Sequence, residues 1–281
     1  MSDEFNTEAE AVAFHARKPV HLYIEAMPFA FIPEGYSQAV SLEHLLPAPN
    51  RKSGNIVLGD AQSFINYVAK HGNPDGTVIY AMADFVGQQF SLLAVINDHG
   101  GEPDKAAWRD HLATYTPKKS VEWVTWNTLN NTKRTQLEFA TFIEENHSDV
   151  IDAEGLPSGG DMLQMAMNFE ANSDKRFSQK LNLTNGGTQL EYIDDENKDT
   201  RTKMTFFDRF AIGIKVFRHG NTGYRVDSRL RYRQKESALT FWYELIRPDR
   251  QFEAAVNDEL QKVVDGLPSY LVVNGNPFAT K

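Results

Sequence analysis

The sequence predicts an α+β fold: antiparallel sheets with packed helices, and a C-terminal β-meander followed by a helix. Three observations carry this expectation. The first 170 or so residues mix helix-capping signals with short apolar runs. From Phe177 onward the pattern changes to strands separated by turn residues such as Asn185-Gly186-Gly187 and His219-Gly220-Asn221. Helices do not alternate regularly with strands, so a parallel βαβ sheet is not indicated. The chain divides on this reading into a mixed region, 1–172, and a β-rich region with a final helix, 173–281. A single compact α+β unit accommodates the same pattern.

Taken in order, Thr7-Glu8-Ala9-Glu10 is a capping box and predicts a first helix to Ala16. Val20 to Glu25 reads as a short strand. Met27 to Pro49 reads as irregular, because Pro28, Pro33, Pro47 and Pro49 interrupt long regular elements. Asp60 caps a helix running to His71, stopped by Gly72 and Pro74, with Phe64, Ile65 and Val68 on its buried face. Thr77–Ala83 and Gln88–Asn97 are strands, the second nearly all apolar and therefore central in a sheet. Asp104 to about Ala113 is expected as a helix and Val121–Thr125 as a strand. Thr135-Gln136-Leu137-Glu138 is a second capping box, opening a helix to Asn146. Ser158–Ala171 is a helix with Met162, Met165, Ala166 and Phe169 on one stripe. Phe177–Leu183 and Thr188–Ile193 form a hairpin, and Asp194–Thr202 is a charged loop. Phe206–Phe217, Tyr224–Arg233 and Leu239–Ile246 make the meander, and Gln251–Asp265 the last helix, closed by Gly266 and Pro268.

Composition narrows the class. With 281 residues, 41% hydrophobic and 24% charged, the chain is able to bury a core and does not read as disordered. Cysteine is absent, which removes disulfides and thiolate metal or redox chemistry and fits a reducing compartment. No apolar run has the length of a signal peptide or a membrane span, so the expectation is a cytoplasmic protein. The net charge of −9 is unevenly spread. Between Arg201 and Arg250 there are 12 Lys/Arg against 5 Asp/Glu, whereas the remainder carries 17 against 33. An acidic body with one basic segment favours a localised anion site, or contact between copies of the chain, over general nucleic-acid coating.

The basic segment has a period. In Tyr224–Arg233, a strand sends Arg225, Asp227, Arg229, Arg231 and Arg233 to one face and Tyr224, Val226, Ser228, Leu230 and Tyr232 to the other. Same-face residues repeat every ~6.6 to 7 Å, close to the spacing of phosphates on an extended strand. Lys215, Arg218 and Trp242 on the flanking strands extend this surface, with Trp242 as a stacking platform. The alternative is a solvated sheet face whose arginines pair with nearby acids or another subunit.

One cluster has the residue types for metal-assisted hydrolysis: Asp98-His99 after a buried strand and Asp110-His111 on the following helix, with Glu102 and Asp104 between. The spacing argues against it. His99 and His111 lack i, i+4 ligand spacing, and Asp110 and His111 would point about 100° apart on a helix. No phosphate-binding Gly-rich loop, dinucleotide fingerprint or nucleophile elbow is present. Ser158-Gly159-Gly160-Asp161 would hold an anion on free helix amides, or serve as a plain cap. The methionine stripe and Trp108, Trp123 and Trp126 read as packing residues.

Four blocks together resemble the YfdQ-like family of uncharacterised phage and prophage proteins. They are Pro49–His71, containing Gly54-Asn55-Ile56-Val57-Leu58-Gly59-Asp60; Leu93–His99 with Trp108-Arg109-Asp110-His111; Trp126 with Gln136–Asn146; and Tyr224–Arg233. The blocks span most of the chain in order. The resemblance implies a phage-derived cytoplasmic accessory protein and supplies no catalytic residue and no cofactor. The expected function is therefore non-enzymatic, as a homo-oligomeric assembly or scaffold. The alternative is single-stranded nucleic-acid binding through Arg225, Arg229, Arg231, Arg233, Lys215 and Trp242. A metal-dependent hydrolase at Asp98, His99, Asp110 and His111 ranks below both, and a host protein is a further partner compatible with phage origin. No membrane partner is expected.

Overall fold

The computed structural model describes residues 20–24, 27–31, 40–41, 45–100, 105–168, 177–180, 187–192, 203–235 and 238–279. The expected helix Thr7–Ala16, the loop Asp194–Thr202, and Glu102 and Asp104 lie outside them. Helices and antiparallel-rich sheets are combined, so the fold class is α+β.

Two compact units divide after Gly54. In the first, β1 (Val20–Ile24), β2 (Met27–Phe31) and β3 (Val40–Ser41) form an antiparallel sheet in that order. The stretch read as irregular thus contains two strands. Pro28 is tolerated because β2 pairs with β3 only from Phe29 and Ala30 onward, so its missing N–H interrupts no ladder on that side.

The second unit holds a five-stranded sheet in the order β15-β5-β6-β7-β4. Its members are β4 (Gly54–Leu58), β5 (Val78–Asp84), β6 (Gln89–Val95), β7 (His111–Tyr115) and β15 (Leu271–Asn274). β5, β6 and β7 run antiparallel as neighbours, and β15 adds parallel to β5. The sheet thus carries one parallel pair beside its antiparallel β5–β6 and β6–β7 pairs. Ile79, Ala81, Leu92, Ala94, Ala113 and Tyr115 share one face through the register, and all are buried. Their apolar partners are Phe64, Ile65 and Val68 of α1 (Ala61–His71) and Phe252, Ala255, Val256 and Val263 of α5 (Pro248–Gly266), in one contiguous core.

The helices begin where side chains can satisfy free amides. Asp60 Oδ1 accepts from the Ser63 amide at 2.8 Å, and that bond holds its carboxyl below the ordinary 3.8. At the other end of α1, a Cβ on Gly72 would sit 2.7 Å from the Val68 carbonyl oxygen and 2.9 Å from the Tyr270 ring. Only glycine fits that approach. The segment expected as a strand is α2 (Val121–Thr128). Ser120 Oγ accepts from the Trp123 amide at 3.0 Å, and one helical turn puts Trp123 and Trp126, both fully buried, on the same side. The capping box of α3 (Gln136–Asn146) is present in both directions. In α4 (Gly159–Asn168), Met162, Met165 and Ala166 are buried as expected, while Phe169 lies outside the described residues.

The region expected as one strand from Phe206 to Phe217 breaks at Asp208, whose carbonyl accepts from the Leu230 amide. β11 (Lys203–Phe207) pairs with β10 (Gly187–Tyr192), which pairs with β9 (Phe177–Lys180), the expected hairpin. β12 (Arg209–Ile214) pairs instead with β13 (Tyr224–Lys235) in a second sheet ordered β12-β13-β14-β8, with β14 (Ala238–Leu245) and β8 (Arg134–Thr135). Phe139 stacks on Phe241 at 5.2 Å and Phe142 on Tyr243 at 5.8 Å, which fastens α3 across the inner face.

Candidate functional site

β13 alternates as its sequence requires as far as Leu230, while Tyr232, expected on the core face, is 37% exposed near the far end of the strand. Val226, Ser228 and Leu230 are buried against the core, and Arg225, Asp227, Arg229, Arg231 and Arg233 are exposed. Tyr224, on the inner side, donates to Asp258 Oδ2 of α5 at 2.5 Å, and burial pushes its phenol up from 10.0. The outer face is completed by the neighbouring strands. Arg209 of β12 stands directly opposite Arg229, which faces Glu244 of β14 on its other side. Arg231 is opposite Trp242, and Arg233 is opposite Thr240. Lys133 places its ammonium 5.4 Å from the Trp242 ring centroid. At the other end of β12, Gly213 lies under the Ile151 side chain, so the basic surface tapers there.

Two ion pairs form on this face: Arg225 with Asp227 at 2.8 Å, and Arg231 with Glu244 at 3.4 Å. Both are exposed, the class of pair that contributes little to stability. Arg209, Arg229 and Arg233 make no ion pair to a described residue. The face therefore carries an excess of cations around one half-buried indole. Lys215 lies past the end of β12, beyond the Ile214–Tyr224 pair. Along β13, Arg225 and the Trp242 partner Arg231 are six residues, ~20 Å, apart. Lys215 and Trp242 thus occupy opposite ends of the sheet instead of one cluster.

The Asp/His residues are positioned differently from the sequence reading. No helix spans 105–113: His111 opens β7, and residues 107–110 are irregular. Asp98 is buried at 5% exposure, pairs with Arg109 at 2.8 Å and with His99 Nδ1 at 2.7 Å. Asn97 clamps the other pair, donating to Asp110 Oδ1 and accepting from the His111 amide. His111 Nε2 meets the Tyr67 hydroxyl at 2.9 Å. Among the described residues no three His, Cys, Asp or Glu side chains converge as a metal set. These bonds tie Asn97 and Asp98 to Arg109, Asp110 and the start of β7.

Sequence reasoning missed Tyr67 and His71, whose i, i+4 spacing on α1 brings both rings to His111. It also missed Glu259, an α5 carboxylate at 3% exposure that accepts from Tyr115 and pairs with Lys262. Trp108, expected as a packing residue, is 73% exposed because the segment around it is not helical. At Ser158-Gly159-Gly160-Asp161 the Ser158 hydroxyl accepts from the Asp161 amide, and the Asp161 carboxylate accepts from Ser158 in return. That turn is a cap.

A family model, DUF2303, matches residues 2–276, and its description is an uncharacterised conserved protein. The chain belongs to that family. The DUF2303 match covers nearly the whole chain, the four resembling blocks lie in order within it, and its description carries no phage source. No curated protein and no solved structure matches this DUF2303 chain. Among the described residues, no helix is long and apolar enough to cross a membrane.

Proposed function

We propose that the outer face of the β12-β13-β14 sheet binds single-stranded nucleic acid. The observation that carries this reading is the pairing of Arg231 with Trp242 inside a row of exposed arginines. Backbone phosphates meet Arg225, Arg229, Arg231 and Arg233 at a matching repeat, Arg209 opposite Arg229 adds one more contact, and an unstacked base lies on Trp242 between Arg231 and Lys133. A duplex offers no free base to the indole and binds less well. On this reading the protein is a non-enzymatic accessory factor, in line with the phage setting that the sequence resemblance implies. Fluorescence anisotropy with a labelled oligothymidine tests it. Affinity is expected to fall steeply with salt and to be lost in Arg231→Glu/Arg233→Glu. Binding indifferent to both would refute the assignment.

A second reading, self-association, has its own support. β4 is an edge of the five-stranded sheet, and Ile56 and Val57 on it are 38% and 71% exposed. An open edge with apolar side chains pairs readily with a second copy. Size-exclusion chromatography with light scattering decides this: a monomer at micromolar concentration removes it, and a dimer lost in Val57→Lys supports it.

A further inference from the structure

A cleft of about 1070 Å³ opens where β5 and β6 run past α5. Ala81 and Ala83 are too small to fill the space between the sheet and the helix, while Phe90, Phe217, Val256 and Leu260 supply an apolar lining. Lys119 enters this lining. Its ammonium is 5.7 Å from the Phe252 ring centroid and 3.5 Å from Gln88 Oε1, both neutral groups. No described carboxylate pairs with it. Asp84 also lines the cleft, but its Oδ1 is engaged by the amides of Val86 and Gly87, closing the β5–β6 turn. Burial without a compensating anion holds the Lys119 ammonium below its ordinary 10.5.

Gln88 is oriented by its neighbours. The indole Nε1 of Trp123 donates to Gln88 Oε1 at 3.0 Å, and an indole only donates, as does an ammonium. The amide oxygen is therefore committed to these two groups, and the NH₂ faces away from both. Gln88 holds this position at φ 50, a left-handed conformation that costs a non-glycine residue.

We propose that this cleft binds a small organic carboxylate, its charge taken by the Lys119 ammonium and its apolar body lying along Phe90, Phe217 and Leu260. One cation matches a single negative charge. A phosphate dianion would be left half neutralised beside Asp84. This site is separate from the arginine face, and neither assignment depends on the other.

Titration calorimetry with 2-naphthoate, its neutral analogue 2-naphthalenemethanol, and inorganic phosphate tests the proposal. Saturable 1:1 binding of naphthoate is expected, at least tenfold tighter than the alcohol, with phosphate weaker than both. Lys119→Met keeps the aliphatic stem and is expected to cost naphthoate tenfold or more while leaving the alcohol unchanged. Leu260→Trp, at a half-buried lining position, narrows the cleft and is expected to abolish both. Thermal melts of each variant establish that it is folded. Equal affinity for acid and alcohol, or naphthoate binding unaffected in folded Lys119→Met, would overturn the carboxylate assignment. An absence of saturable naphthoate binding by the wild type would overturn the site itself.

Discussion

Arg209 and Arg229 are directly opposed on the antiparallel strands β12 and β13, and both side chains are exposed. Like charges at opposed positions repel, and the acid opposite Arg229 on the third strand, Glu244, pairs with Arg231. Replacing Arg209 by Thr should therefore raise stability, by ~0.2 to 1 kcal/mol in urea unfolding. The same substitution should weaken oligonucleotide binding and reduce the log–log salt slope by about 0.7, the contribution of one phosphate contact on a single strand. A surface that gains stability while losing affinity is one shaped for a ligand.

Trp242→Ala separates stacking from charge. Loss of one base–aromatic stack should cost ~1 to 3 kcal/mol of affinity, and the salt slope should stay where it was. Anisotropy titrations at three salt concentrations give both quantities.

The Asp98–Arg109 pair is a structural clasp, and its energetics should say so. Arg109→Met leaves a carboxylate at 5% exposure with His99 as its remaining ion-pair partner among the described residues, and should cost ~1 to 3 kcal/mol. Asp98→Asn together with Arg109→Met removes the buried charge and should recover part of the loss, giving a non-zero coupling in a double-mutant cycle. Metal analysis of the purified wild-type protein is the companion measurement. A stoichiometric divalent ion that disappears in His99→Ala would support the hydrolase reading.

Asp149 accepts from the Trp126 indole at 2.8 Å, yet burial raises its carboxyl above the ordinary 3.8. A raised folded value means the folded state takes up a proton before the unfolded state does. Acidification through that value, down to 3.8, should therefore relieve a penalty that is fully present at neutral pH. Asp149→Asn keeps an acceptor for the indole without the charge. Its stability should equal or exceed wild type at pH 7, and the difference should shrink as the pH falls toward 3.8. Denaturant midpoints measured at several pH values check the trend.

Much of this was legible in the sequence because side-chain period and capping chemistry are local. The alternation of Tyr224–Arg233, the Asp60 cap and the Thr135–Glu138 box each need only a few neighbouring residues. The errors came where long-range packing outweighs propensity. Val121-Glu122-Trp123-Val124-Thr125 is rich in strand formers, but Ser120 caps it and the core takes Trp123 and Trp126 from one side. His111–Tyr115 has the alternation of a strand, buried at His111, Ala113 and Tyr115, where a helix capped by Asp104 and running to about Ala113 is expected. At the candidate surface the arginines were readable from alternation alone. The opposition of Arg209 to Arg229 and of Trp242 to Arg231 depends on register, which no single strand encodes. The Lys119 cleft gave no signal, since it is made by small residues on a sheet facing a helix far along the chain.

The parallel pairing of Leu271–Asn274 with Val78–Ala81 joins segments separated by most of the second unit's sequence. During vectorial synthesis, β5 to β7 emerge from the ribosome long before the strand that completes their edge. A nascent chain must hold that edge open while some two hundred further residues are translated. Such an edge invites the wrong neighbour, and large sequence separation slows the right one. The yield of native protein should consequently depend on chaperone supply and growth temperature more than the finished molecule's stability would suggest.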